Sequence, residues 1–224
     1  MRKLMVINTN TEYYPGTNHK TGLWIGELVH FYDVFNGSDI EVDIYSVDGS
    51  DIPIDPLSTS PLMLDALTKS YMEDAQFMAK LKQAPAFTSA DINDYDGVYF
   101  TGGHGVMFDF PDNMELKQLI ARMDKEGKVI ASVCHGTAAL LNVEGEWLKD
   151  RSVAGFSNME EKLAGKTNLV PFLLETELKK SGAKYEKALL PYTSKVVVDK
   201  NVITGQNPQS PKGVGKAVLK YLQQ

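Results

Sequence analysis

The chain of 224 residues has a single cysteine, no long apolar run and no cluster of basic residues. One cysteine cannot form an internal disulfide, so we expect a reducing, cytoplasmic compartment. No apolar run approaches the roughly 20 residues that cross a bilayer, and the N-terminus turns polar too early for a signal peptide, which argues against a membrane partner. With 23 basic residues against 29 acidic ones, nucleic acid is not the expected partner either.

The chain also lacks any Gly/Ser/Pro-rich or single-charge stretch that would serve as a linker, so we predict one domain over residues 1–224. Short apolar runs alternate instead with longer amphipathic stretches. The runs lie at 3–8, 41–47, 97–103, 128–134, 152–156 and 195–205. The first, third and fourth are nearly all apolar, which is typical of strands buried on both faces of a parallel sheet. The pattern predicts an α/β fold with a doubly wound, mainly parallel sheet sandwiched by helices.

Capping signals indicate where the helices begin. Asp112 and Glu115 have the spacing of a capping box before an apolar stretch. Asn168 and Pro171 are predicted to open another helix. The segment 60–83 is longer than a crossover needs and is expected to supply an extra helix.

The only cysteine lies in "VIASVCHGTAALL", residues 129–141. A strand, Cys-His-Gly and a helix-like segment follow one another as in a nucleophile elbow, where small residues flank the nucleophile at two positions to either side. Here those residues are Ser132 and Gly136. A helix N-terminus would lower the pKa of the Cys134 thiol. The alternative is a buried structural thiol, and His135 becomes a catalytic partner only if the turn brings both side chains to one side.

Two further stretches suggest a reaction site. "TGGHG", residues 101–105, offers backbone N–H groups for an oxyanion, although it also fits a plain glycine turn. On a helical wheel of residues 22–35, Glu27 falls inside a continuous apolar arc. Burial would raise the pKa of this carboxyl group towards neutrality, where it can transfer protons in either direction. The alternative is a structural pairing of Glu27 with a backbone donor or a lysine.

The chain has four histidines, and no two of them show the spacing of a metal-binding motif. These are His19, His30, His104 and His135. We therefore expect neither a metal site nor a cofactor.

Taken together, these stretches resemble the ThiJ/PfpI superfamily, and most closely its branch of glutathione-independent glyoxalases and stress-induced chaperone-like proteins. The matching segments include "TGLWIGELVHFY", "YFTGGHGVMFDFPD", "VCHGTAALL", "VAGFSNMEE" and "VITGQNPQS", and they run in order through nearly the whole chain. The resemblance implies a flavodoxin-like fold of the class I glutamine amidotransferase type and a homodimer.

The resemblance also implies roles for individual residues. Cys134 matches the elbow nucleophile and His135 the histidine of a catalytic triad. The acid of the triad lies a few residues past the "GF" strand end, which points to Glu161, with Glu160 as the alternative. Glu27 matches a helical glutamate that hydrogen-bonds the cysteine.

Gly103, with His104 beside it, matches the oxyanion and substrate-binding site of the family. The chain departs from many relatives at Thr137, where they have proline after Cys-His-Gly. The resemblance implies no metal ligand in this sequence.

The activity implied is conversion of methylglyoxal, a small 2-oxoaldehyde, to lactate through a cysteine hemithioacetal, without a cofactor. Two other classes of function use the same thiol. One is a stress-protection chaperone or an oxidant sensor, because a reactive thiol beside a carboxylic acid can form a stabilised sulfinic acid. The other is a cysteine hydrolase acting on peptides or glycation adducts.

Overall fold

A computed structural model describes residues 2–224. The strands are β1 (Arg2–Asn8), β2 (Ile40–Ser46), β3 (Gly97–Phe100), β4 (Val129–Val133), β5 (Ser152–Val153), β6 (Lys184–Tyr185), β7 (Val196–Asp199) and β8 (Val202–Gly205). Six of them form one sheet in the order β2-β1-β3-β4-β8-β7, all parallel except β7, which runs antiparallel to β8. The short strands β5 and β6 pair with each other in a separate ladder.

Helices flank this sheet and confirm the predicted doubly wound, mainly parallel α/β fold. The central strand β4 is buried along its whole length, as expected for a strand covered on both faces. The helices are α1 (Ile25–Tyr32), α2 (Ala66–Glu73), α3 (Ala75–Ala79), α4 (Val106–Asp109), α5 (Met114–Lys125), α6 (Asn158–Ala164), α7 (Leu174–Lys180) and α8 (Pro211–Leu222). None of the helices within residues 2–224 is long and apolar enough to span a bilayer.

Local boundaries differ from the predictions in several places. The cap of α5 is Asn113 rather than Asp112, and its side chain accepts a hydrogen bond from the Leu116 N–H at 3.0 Å. Helix α7 begins only at Leu174, after the turns that follow Asn168. The run 195–205 folds back on itself as the β7–β8 hairpin, and segment 60–83 forms two helices that meet at Asp74.

The carboxyl ends of the parallel strands meet at one edge of the sheet. Strand β3 ends immediately before "TGGHG", and the neighbouring strand β4 ends immediately before Cys134. Ligand sites of open parallel sheets lie at this edge. The fold therefore brings the two chemically unusual stretches of the sequence together.

Candidate active site

Cys134 lies on a strained turn between β4 and a 3₁₀ helix, Cys134–Leu140. Its φ angle is +56°, a left-handed conformation that a residue with a side chain adopts only when its surroundings hold it there. At Gly136 a side chain would clash with the backbone carbonyls of Phe100 and Thr101. The structure thus has the strand, sharp turn and helix arrangement predicted for a nucleophile elbow.

The turn places the thiol and the adjacent imidazole on one side. The Cys134 Sγ lies 3.4 Å from His135 Nδ1, and His135 Nε2 lies 2.7 Å from an oxygen of Glu161. With the imidazole proton on Nε2, Nδ1 is free to accept the proton of the thiol. Cysteine, histidine and carboxylate therefore form a connected hydrogen-bonded series, which is the geometry of a catalytic triad.

A second histidine lies against the same carboxylate. His104 Nε2 is 2.9 Å from the other oxygen of Glu161, and the His104 and His135 rings are 4.2 Å apart. Burial alone would raise the pKa of Glu161, but the charges and hydrogen bonds of the two histidines hold it well below its usual range. Burial, followed by the charge of His135, lowers the pKa of His104. Glu161 therefore stays ionised.

The neighbouring carboxylate of Glu160 has a different partner set. It forms a capping box with Ser157 at the start of α6, accepting hydrogen bonds from the Ser157 N–H at 2.9 Å and hydroxyl at 2.7 Å. The S-x-x-E pattern of "SNME" signals this cap in the sequence, although the resemblance alone left the two glutamates unresolved. Because the cap occupies Glu160, it is Glu161 that faces the histidines.

Glu27 is fully buried on α1, where the helical wheel placed it. Its Oε2 accepts the Gly102 N–H at 2.8 Å, and Oε1 has no hydrogen-bond partner among residues 2–224. A side chain at Gly102 would clash with both Glu27 and Cys134, so the carboxylate and the thiol adjoin the same glycine. Burial raises the pKa of Glu27 to about 8, and the nearby Cys134 thiol and the Gly102 N–H only partly oppose this shift.

The thiol does not behave as its position before a helix led us to expect. Burial, together with the neighbouring carboxylate of Glu27, raises the pKa of Cys134 above its ordinary value instead of lowering it. The buried surroundings outweigh the helix-dipole effect that we had predicted, and the helix here is a 3₁₀ segment. Since a protonated Glu27 carries no charge, its protonation removes the repulsion that opposes a Cys134 thiolate.

The high pKa of Glu27 predicts a stability effect. Between pH 4.5 and about 8, Glu27 is protonated in the folded state and ionised in the unfolded chain. The contribution of Glu27 to stability therefore falls as the pH rises through this window. Glutamine does not titrate, so its contribution to stability does not change with pH. We expect Glu27→Gln to gain ~1.4 kcal/mol of unfolding free energy relative to wild type for each pH unit across it.

Urea unfolding of both proteins at pH 5, 6.5 and 8 measures this difference. The other titrating groups, apart from Cys134 beside Glu27, have the same surroundings in the two chains and cancel. A difference that stays constant with pH would mean that Glu27 is ionised in the folded protein.

Two backbone N–H groups remain free at the bottom of the site. The N–H groups of Gly103 and His104 donate no hydrogen bond to any of residues 2–224, whereas the N–H of Gly102 is taken by Glu27. Both residues line the same cavity as Cys134. Free donors beside a nucleophile are the parts of an oxyanion site.

Thr137, where the resemblance implies proline in many members of the family, has a buried hydrogen-bonding side chain. Its hydroxyl lies 2.8 Å from that of Ser132 and donates to the Ala154 carbonyl at 3.1 Å. It therefore ties the turn after the cysteine to β4 and to the segment after β5. The extra hydroxyl is used within the scaffold and does not reach the cavity.

The ligand atoms of His104, His135 and Glu161 all lie within 4.8 Å of one another, which is close enough to hold a metal ion. Sequence spacing gave no reason to pair these histidines, because they are brought together by two neighbouring strand ends. The set is already joined by hydrogen bonds of 2.9 and 2.7 Å, both of which an ion would have to replace. The existing contacts satisfy the carboxylate without an ion.

The cysteine opens into a cavity of about 770 Å³. Cys134, His135 and His104 are buried at one end of it. Sequence reasoning missed the residues of its walls, which come from loops and helix ends without a motif. They include Trp24, Met63, Phe156, Leu163, Lys166 and Tyr192.

The chain is similar to known proteins over its whole length. Glyoxalase 3 of Candida albicans is 28% identical over 98% of this chain and 97% of its own, and the crystal structure of that glyoxalase III has a TM-score of 0.87. The glutathione-independent glyoxalase HSP31 of Saccharomyces cerevisiae is 25% identical over 92% of each chain. The Rapid Encystment Protein 24 KDa of Francisella tularensis is 37% identical, covers 99% of each chain and has a TM-score of 0.94.

The model of the DJ-1/PfpI family matches residues 25–221. This range contains the helical glutamate, the glycine-rich strand end, the cysteine turn and the two histidines on Glu161. On these grounds the chain belongs to the DJ-1/PfpI family.

Proposed function

We propose that the protein is a glutathione-independent glyoxalase that converts methylglyoxal to lactate. The observation that carries this proposal is the convergence of Cys134, His135 and Glu27 on one buried point beside free backbone donors. The relatives named as glyoxalases, which match nearly the full length, support the same reading. The chemistry needs a nucleophile, an oxyanion site and a group that moves a proton between neighbouring carbons.

The first step is attack of the Cys134 sulfur on the aldehyde carbon. His135 Nδ1, 3.4 Å from the sulfur, takes the thiol proton. The developing alkoxide is stabilised by the free N–H groups of Gly103 and His104 and then receives the proton held by the His135 imidazolium, giving a hemithioacetal. Glu161 keeps the imidazole in the required orientation and stabilises its positive charge.

The second step moves a proton from the former aldehyde carbon to its neighbour. Glu27 suits this role because a pKa of about 8 lets it accept and return a proton near neutrality, and its Oε1 has no other partner among residues 2–224. Removal of the proton gives an enediol, and reprotonation at the second carbon gives a thioester. Water then releases lactate and the thiol. Oxidation at one carbon balances reduction at the next, so no redox cofactor enters.

The test is incubation of the purified protein with methylglyoxal in the absence of glutathione, with separate assays for D- and L-lactate. We expect one lactate for each methylglyoxal consumed, and an excess of one enantiomer because the enediol is reprotonated within an asymmetric site. Methylglyoxal loss without lactate would contradict the proposal, since simple adduct formation on lysines also consumes the aldehyde.

The triad assignment predicts that Glu161→Gln lowers kcat by about 10²- to 10⁴-fold, because the amide cannot stabilise the imidazolium or hold its tautomer. Glu177→Gln on α7 is the matched control, since that side chain pairs with Lys180 at the surface. Steady-state kinetics with methylglyoxal measure both variants. Wild-type kcat in Glu161→Gln would remove Glu161 from the mechanism.

Three other expectations remain predictions. These are a cytoplasmic location, a homodimer and a single domain over residues 1–224. The first is supported by the lone, buried and unpaired cysteine. Sedimentation of the purified protein tests the second, and limited proteolysis tests the third.

A further inference from the structure

The cavity is much larger than the proposed substrate. Its volume of about 770 Å³ falls in the range of about 300–1,000 Å³ that holds drug-sized ligands. Methylglyoxal carries only a methyl group beyond its two carbonyls, and a water molecule occupies about 30 Å³ for comparison. Most of the cavity would therefore hold solvent while methylglyoxal reacted at Cys134.

Apolar side chains form much of the wall of this space, beside the charged groups of Asp65, Lys166 and Lys212. The reactive end is buried, with Cys134 only 3% exposed, whereas two apolar wall residues nearer to solvent, Met63 and Leu163, are 46% and 59% exposed. Trp24 and Phe156 line the space as well. Exposed apolar side chains around a pocket indicate contact with an apolar ligand. The reactive residues are buried and these apolar side chains lie nearer to solvent. This arrangement fits an extended ligand that enters with its polar end first.

Tyr192 is a wall residue fixed in place by two hydrogen bonds. Its backbone has a φ of +57°, and its N–H donates to the Glu160 carboxylate at 2.8 Å. Its hydroxyl donates to the Glu160 carbonyl at 3.2 Å, so the ring contributes apolar surface and no free polar group to the cavity. The ring packs edge-on against Phe156 at 6.1 Å, and Phe156 lies 4.4 Å from the His135 ring. The aromatic wall is thus continuous from the triad histidine outwards.

We propose that the site prefers 2-oxoaldehydes whose ketone carbon carries a longer apolar chain, and that Tyr192 is a specificity residue for that chain. This inference rests on the proposed function and names its substrate class. The reaction is unchanged: R–CO–CHO and water give R–CH(OH)–COOH, through the same cysteine thioester. Each additional methylene that lies against the wall should raise kcat/KM by about fourfold until the space is filled.

The experiment measures kcat/KM for methyl-, propyl- and pentylglyoxal with wild type, Tyr192→Ala and Leu189→Ala. Straight alkyl chains keep the reactivity of the carbonyls nearly constant along the series. Leu189 is the control, because it lies in the same loop and is 97% exposed but does not line the cavity. We expect a rise of 10-fold or more from methyl to pentyl in wild type and in Leu189→Ala. In Tyr192→Ala this ratio should fall at least threefold.

Two results would overturn the preference while the proposed function stood. One is an equal kcat/KM along the series. The other is a larger gain from a terminal carboxylate than from an alkyl chain of the same length, which would assign selection to the charges of Lys166 and Lys212 at the same cavity. No lactate-type product from any of the three aldehydes would instead contradict the proposed function itself.

Discussion

Replacing Cys134 with serine is expected to reduce lactate formation from methylglyoxal by at least about 10³-fold. The hydroxyl is a much weaker nucleophile than the thiol, and His135 Nδ1 would have to deprotonate a group of far higher pKa. The oxyanion donors and the carboxylates remain in place, so binding of the aldehyde should survive. Lactate assays at saturating methylglyoxal measure the loss.

The control for this prediction is a test that Cys134→Ser keeps the wild-type fold. Serine is close to cysteine in size, and the positive φ at residue 134 is imposed by the strand end and by the packing of Gly136 against β3. Circular dichroism and the thermal midpoint should therefore stay near their wild-type values. Near-normal lactate production by Cys134→Ser would eliminate the hemithioacetal route.

The second large effect is expected from Glu27→Gln, which should lower kcat by about 10²- to 10⁴-fold with a smaller change in KM. Glutamine can still accept the Gly102 N–H, so the local geometry is preserved. It cannot accept or return a proton. The reaction should stop at the hemithioacetal, before the proton leaves the former aldehyde carbon.

Solvent exchange distinguishes this block from a failure of attack. If Glu27 moves the proton, wild type in D₂O incorporates deuterium at the second carbon of lactate whenever the carboxyl exchanges with solvent. The variant should still bind methylglyoxal reversibly at Cys134, visible as slowed alkylation of the thiol. Unchanged turnover in Glu27→Gln would shift the proton transfer to His135. Loss of turnover in Glu27→Gln, together with the pH-dependent stability gain expected for this variant, would show that wild type maintains activity at the expense of stability.

Much of the fold could be predicted from the sequence because buried parallel strands leave a strong local pattern. The runs that contain β3 and β4 are nearly all apolar, and both runs predicted strands. Glu27 could be found for the related reason that one carboxylate in an apolar helical face is conspicuous. The cap of α5 was predicted one residue too early, at Asp112, since Asp112 and Asn113 both cap well.

What could not be predicted depends on distance along the chain. His104 and Glu161 are 57 residues apart and meet only because the carboxyl end of β3 faces the start of α6. The raised pKa of Cys134 is likewise a property of the assembled site, where burial and Glu27 outweigh the helix terminus. Tyr192 belongs to a loop with no periodic pattern, so nothing local connects it with the cavity.

The partners of Glu160 carry a consequence for the order in which the molecule assembles. One of its oxygens accepts hydrogen bonds from Gln206 and Asn207 as well as from Tyr192, all from the last part of the chain. The next residue is Glu161, the proposed triad acid, so we expect this acid to reach its final place only after that part has docked. Recovery of activity during refolding should therefore follow the slowest global phase, and appear later than the recovery of helical signal. The enzyme assay would then serve as a probe of complete folding.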